Sequence, residues 1–310
     1  MLYPMRIVPF SELRDPHDFF ELAEACFNEI AQPEHAADIQ RWDARRKGEF
    51  GFGIYSGRTL AAFVGVMDLP VRTRDGQVEP ALGLHHVATH PAFARRGLAS
   101  ELLDFVHDRA ARAGRRFSFL FTNKNWVAYP LYRQLGYEDL RIIGPASPRA
   151  ERIFDPGRRR PKQNHTSAAD LALAEALFAE LTSGRTGMVV REPGWLHARL
   201  RQYKQRRAEV FVDRDGYAVT EPDSFGRWIR EFLARDRAAF ERLLDRIIAT
   251  GCKGLVDCYV LDPVLARIYR ERGFRFRYHA YHAFMAMPLA GISVRQAFGP
   301  RFFWTVVDQF

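Results

Sequence analysis

The chain has 310 residues and a formal net charge of +9, with 47% hydrophobic and 27% charged residues. This is a globular balance, and the length suits two domains of ordinary size, which excludes a disordered or fibrous chain. No stretch approaches the roughly 18 consecutive apolar residues of a membrane span, the first residues carry no signal-peptide pattern, and Cys26, Cys252 and Cys258 are too few for a disulfide framework or a metal site. The expectation is a cytoplasmic protein without a metal or a membrane partner. The positive charge raises nucleic-acid binding, but no binding-module signature accompanies it. The densest run, Arg158-Arg159-Arg160-Pro161-Lys162, sits among prolines and reads as a solvated linker, so nucleic acid is not an expected partner.

In chain order, residues 4–9 read as a strand, and 15–27 and 34–46 have helical spacing. Residues 50–55, 60–69 and 82–89 read as strands separated by Gly57 and Asp75-Gly76. Leu98, Leu102, Phe105 and Val106 repeat on one helical face, and Gly114 stops that helix. Residues 117–121 form a short strand, and 125–135 a helix ended by Gly136. The fold class is α/β, with a mixed sheet flanked by helices. Residues 146–168 read as a Pro/Arg-rich linker, 169–290 as a second globular segment, and 291–310 as an aromatic tail (Phe298, Phe302, Phe303, Trp304, Phe310) packed on a domain.

A weak repeat at an offset of 137 pairs Gly114 with Gly251, and Asn125, Tyr132, Gly136 and Tyr137 with Asp262, Tyr269, Gly273 and Phe274. The same offset sets Gly97 against Ala234, and Ala99 against Asp236. The second half therefore reads as a copy without the glycine turn of the first.

The chemistry concentrates in Val87-Ala88-Thr89-His90-Pro91, Ala94-Arg95-Arg96-Gly97-Leu98-Ala99, and Asn125-x-x-Ala128-x-x-x-Tyr132-x-x-x-Gly136-Tyr137. A strand running through a glycine turn into a helix presents free backbone N–H groups to an anion. Those of Arg95, Arg96, Gly97, Leu98, Ala99 and Ser100 would surround a pyrophosphate. Gly97 allows close approach, and the two arginines add charge pairing. Read without further context, the same residues are a plain helix start. Asn125 is explained about as well as an N-cap, Tyr132 as a core tyrosine, and His85 as a hydrogen-bonded strand histidine. Alternation places His85 on the face of Val87 and Thr89.

These motifs, in this order and spacing, resemble the GNAT superfamily of N-acetyltransferases over residues 4–145. The pattern departs at Ala94, where the family carries Gln or Arg. The resemblance implies a first domain over 1–145 and acetyl-CoA as co-substrate, its pantetheine arm lying between two splayed strands. The backbone of Val87 and Thr89 would pair with the arm's amides, and Asn125 would hold the arm at the mouth of the splay. It implies Tyr132 as general acid, and His85 as the base that takes the amine proton. The tandem arrangement is similar to two-domain GNAT proteins, in which an active N-terminal domain precedes a degenerate one. The expected partner is an amine on a small molecule or an amino group on a larger one; a homo-oligomer is compatible with this. A non-catalytic acyl-CoA-binding or sensing protein is the alternative.

Overall fold

The computed structural model describes residues 6–28, 43, 45, 48–142, 146–148, 166–202, 208–223, 226–250, 254–257, 260, 262–276 and 282–308. Most of the helix expected over 34–46, residues 149–165 of the linker with its arginine run, Cys252, Cys258 and Phe310 lie outside the described residues. The first half contains β1 (Ile7–Pro9), α1 (His17–Phe27), β2 (Gly51–Ser56), β3 (Thr59–Arg72), β4 (Val78–Thr89), α2 (Leu98–Arg112), β5 (Phe117–Asn123), α3 (Ala128–Gln134), β6 (Glu138–Ile142) and β7 (Ala146–Pro148). There follow α4 (Ala168–Leu181), β8 (Thr186–Gly187), α5 (Trp195–Gln202), β9 (Glu209–Asp213), β10 (Gly216–Asp223), β11 (Gly226–Ala234) and α6 (Arg237–Ile248). The chain continues with β12 (Leu255–Asp257), α7 (Pro263–Glu271), β13 (Phe274–Phe276), β14 (His282–Pro288), α8 (Val294–Phe298) and β15 (Phe302–Phe303). No helix among the described residues is long and apolar enough to cross a membrane.

The chain divides into two compact units, and neither is continuous in sequence. One is Met1–Leu140 with Phe284–Pro300; the other is Arg141–Ala283 with Arg301–Gln309. In the first unit the strand order is β1-β2-β3-β4-β5-β14-β6. β2, β3 and β4 form antiparallel ladders, while β4 and β5 are parallel. In the β2–β3 ladder Phe52 pairs with Val64 and Gly53 with Phe63, so Phe52 and Phe63 point to opposite faces. Phe63 packs with Phe19 and Phe20 of α1 and with Phe50 and Ala88. Phe52 meets Phe105 of α2, ring centroids 5.1 Å apart. Each helix thus covers one face. α2 buries Leu98, Leu102, Leu103, Val106 and Ala110, and stops where Gly114 turns at φ +80°.

The strand between β5 and β6 comes from far along the chain. Phe284 of β14 stacks on Phe119 at 5.8 Å, Phe298 of α8 lies 4.9 Å from Phe117, and the Leu289 N–H donates to the Arg116 carbonyl at 2.7 Å. The second unit repeats this device, with order β13-β7-β12-β11-β10-β9. There β7, from the first half of the chain, lies between β12 and β13. The first sheet therefore takes a strand from the stretch expected as the second domain (169–290), and the second sheet takes one from the stretch expected as linker (146–168). The aromatic stretch is divided too: Phe298 belongs to the first unit, whereas Phe302, Phe303 and Trp304 are buried in the second.

The second unit has its own core, in which Phe240, Leu243, Leu244, Leu255, Ile268 and Tyr269 meet Phe211 and Ile229. β11 and β12 pair in parallel from Arg227↔Leu255 to Ile229↔Asp257, as β4 and β5 do from Leu82↔Ser118 to Leu84↔Leu120. Gly136 and Gly273, at φ +98° and +81°, each close a helix ahead of a strand. The repeat shifts at the other helix start. The N-cap of α2 is Gly97 and that of α6 is Asp236, so Gly97 stands opposite Asp236 and not Ala234.

Candidate active site

β4 and β5 part company midway. Their pairing ends at Leu84↔Leu120, yet β4 runs on to Thr89 and β5 to Asn123. At the same level the β3–β4 ladder slips: Phe63 opposes Ala88 and Gly65 opposes His85, so His86 and Val87 together face Val64. This is a β-bulge, and within it His86 adopts a left-handed φ of +46°. Neither pairing includes Val87. The carbonyl of Thr89 accepts the Cys26 thiol at 3.3 Å, and burial pushes that thiol's pKa up.

The bulge corrects the expected alternation. His85 and His86 share one face instead of opposing each other, and their Nδ1 atoms lie 2.8 Å apart. His86 packs edgewise on Phe19 and Phe27 of α1, at 5.4 and 5.8 Å. Ala88 joins Phe19 on that side, which leaves Val87 and Thr89 on the other face. His85 is 5% exposed, beside Phe50 and over Gly65, where a Cβ would come within 2.2 Å of the imidazole. Its Nε2 lies 3.3 Å from the Val66 carbonyl. A carbonyl only accepts, so His85 carries its proton on Nε2, and its Nδ1 accepts from the Nδ1–H of His86. Two adjacent histidines after the apolar run Ala81–Leu84 were the available signal for this irregularity.

The turn after β4 is built to stay open. Arg95 and Gly97 both have positive φ, +62° and +81°. Gly97 is the N-cap of α2 without a side chain to cap it, and its carbonyl takes the first helical bond, from Glu101 N–H at 3.0 Å. The N–H groups of Leu98, Ala99 and Ser100 lie in the first turn, where a helix offers no acceptor. The buried Leu98 side chain anchors the turn. A Cβ at Gly97 would meet nothing within 4 Å, so the space before the helix is clear. Arg96 is tethered, over the Phe93 ring at 5.1 Å and bonded to the Ala92 carbonyl at 3.3 Å. Arg95 is exposed and has no ion-pair partner among the described residues. The positive end of the helix, a nest of N–H groups and two exposed guanidiniums fit a diphosphate.

Asn125 is exposed, and its N–H donates to Asn123 Oδ1 at 2.9 Å in the turn after β5. It does not cap α3, whose N-cap is Val127 without any side-chain bond. Tyr132 on α3 is 5% exposed, its ring 5.9 Å from that of Tyr137. Among the described residues its hydroxyl makes no hydrogen bond, and burial holds its pKa above the usual phenol range. Tyr137, by contrast, is fully engaged: its hydroxyl meets Ser118 Oγ at 2.5 Å and His107 Nε2 at 2.8 Å.

Comparisons with known proteins bear on this architecture. Residues 11–139 match the family model of the acetyltransferase (GNAT) domain. An uncharacterized N-acetyltransferase of Streptomyces avermitilis is 23% identical over 201 residues, which are 63% of this chain and 48% of that protein; the chain thus spans about half the length of this curated relative. A probable N-acyltransferase from Enterococcus faecalis V583 superposes with a TM-score of 0.69 at 17% identity, covering 93% of this chain and 73% of that one. A GCN5-related N-acetyltransferase from Kribbella flavida gives 0.66 at 18% identity, covering 91% and 70%. The two structural likenesses carry the fold across both units, and the family match covers the segment that holds the open turn, the parted strands and Tyr132. Residues 11–139 are thus a GNAT acetyltransferase domain.

Proposed function

We propose that the first unit transfers an acetyl group from acetyl-CoA to an amine, carried by a small molecule or by a larger one. The observation that carries this reading is the parting of β4 from β5 beyond Leu84↔Leu120, beside a helix start left open at Gly97. In it the N–H groups from Arg95 to Ser100, with the Arg95 and Arg96 side chains, hold the pyrophosphate. The backbone of Val87, which has no register partner in either ladder, meets the amides of the arm together with that of Thr89, and Asn125 steadies the arm at the mouth.

The amine nitrogen forms a bond to the acetyl carbon as the carbon–sulfur bond breaks. The amine gives up a proton, and the sulfur gains one. Tyr132 donates to the sulfur; burial disfavours its tyrosinate, so the hydroxyl holds its proton at neutral pH. His85 is the final acceptor of the amine proton. Because it is buried, the proton reaches it through the His86 imidazole bonded to its Nδ1. The second unit is the degenerate copy in this reading.

A thiol-release assay with acetyl-CoA across an amine panel tests the proposal. Tyr132→Phe lowers kcat about 100-fold, within the usual range for a lost general acid, with acetyl-CoA affinity unchanged. His85→Gln lowers kcat as well, with acetyl-CoA affinity unchanged. Unchanged turnover of both variants at every pH would remove these roles. Acetyl-CoA binding without thiol release for any amine would favour the binding or sensing protein.

A further inference from the structure

α2 carries a second feature at its other end. Between its C-terminal half and the sheet of the first unit lies a groove of about 510 Å³. Phe52, Val66, Leu82, Phe105 and Val106 form its apolar floor, with Ala110 beside them. Its rim carries more free cations than free acids. Asp43 holds Arg45 at 2.7 Å and Asp68 is bonded to Arg115, which leaves Glu49, bonded to the Ser11 hydroxyl at 3.0 Å, as one carboxylate against two free guanidiniums among the described residues. Arg109 and Arg112, three residues apart on one helix face, have no carboxylate partner among the described residues. The Arg109 guanidinium lies 5.5 Å from the centroid of the Phe52 ring, over the apolar floor.

We propose that this groove is a second ligand site, which takes a small amphipathic carboxylate. Its volume lies in the range of small-molecule pockets. An inorganic anion would leave the floor wet, an uncharged apolar ligand would leave both guanidiniums unpaired, and a cation would be repelled. A carboxylate on an apolar body satisfies floor and rim together, with bidentate pairing available at either arginine. Arg109 follows Gly97 by twelve residues on α2, about 18 Å along the helix, so the groove is separate from the open turn and does not depend on the proposed acetyl transfer.

Calorimetric titration of the full chain with dodecanoate, below its micellar concentration, tests this. One saturable site is expected. The double variant Arg109→Ala/Arg112→Ala, both at exposed positions, weakens it at least tenfold with the melting curve unchanged. Dodecylamine and dodecanol bind at least tenfold more weakly, and saturating coenzyme A does not displace dodecanoate. Absence of saturable binding, equal binding of dodecanol, displacement by coenzyme A, or an unaffected double variant would each overturn the proposal.

Discussion

Tyr132 and Tyr269 occupy matching places on α3 and α7, yet their hydroxyls have opposite fates. Tyr132 makes no hydrogen bond there among the described residues, whereas Tyr269 donates to the buried Asp257 at 2.8 Å. The helix starts differ in the same sense. Gly97 leaves the N-terminus of α2 bare, while the Asp236 carboxylate of α6 accepts the Ala239 N–H at 2.8 Å. The strands after the bulge differ as well: Phe63 opposes Ala88 in one ladder, and Val219 opposes Glu231 in the other. Glu231 is buried and takes bonds from Arg191, Tyr217 and Thr305. Arg191 also holds Asp308 at 2.9 Å, its guanidinium 3.5 Å from the Phe178 centroid. Burial alone would raise the Glu231 pKa, but the Arg191 charge and the bonds around it hold it below the usual carboxylate range. The second unit supplies its own anions and donors wherever the first leaves such groups open. A duplicated fold keeps its architecture when its polar groups satisfy one another, and it is ready for a ligand only where they do not.

The largest effect expected from breaking this contrast is at Arg191. Arg191→Met strands two buried carboxylates and destabilises the second unit by about 3–5 kcal/mol, measured by chemical denaturation. A loss below about 1 kcal/mol would mean that the cluster is not what closes that unit. Next, Gly97→Glu gives the open turn a carboxylate at a left-handed residue. Acetyl-CoA affinity falls at least about 100-fold by calorimetry, worth about 2.7 kcal/mol. A loss of less than about tenfold would remove the turn from the cofactor site.

A smaller effect concerns His107, buried against Tyr137 in the first unit, with its pKa lowered to about 4 by burial. Unfolded, it titrates near 6.5, so between these values the unfolded state binds the extra proton and stability is lost as pH falls. Between pH 6.5 and 5 the first unit loses about 2 kcal/mol through this group. His107→Gln removes that part of the slope in denaturation curves, and an unchanged slope would refute the assignment. The smallest effect is Asp236→Ala, which costs about 1 kcal/mol as a lost cap and leaves acetyl-CoA affinity unchanged. An effect on affinity equal to that of Gly97→Glu would contradict the one-sided reading.

The local elements were largely legible in the sequence, because they depend on near neighbours. The helix expected to run from Leu98 until Gly114 stops it spans Leu98–Arg112, and the strand expected over 117–121 spans Phe117–Asn123. The open turn was legible as well, since glycine after a strand and before an amphipathic helix has few other uses. Asn125 was less so: α3 starts later than the expected 125, and the asparagine lies in the preceding turn. Alternation failed at His85 because one extra residue in β4 reverses facing, and nothing local fixes where a ladder slips.

The sequence by itself determined the order of elements, the glycine turn before α2, the tyrosine on the following helix and the presence of a weaker second copy, because each is written in spacings of a few residues. Only the tertiary structure decided that His85 and His86 share a face, that β7 and β14 complete sheets far from their own stretches, and that the Tyr132 hydroxyl makes no hydrogen bond among the described residues while Tyr269 is tied to Asp257. Those features depend on which backbone and side-chain groups find partners across long separations, and a buried polar group must be satisfied by whatever the fold brings to it.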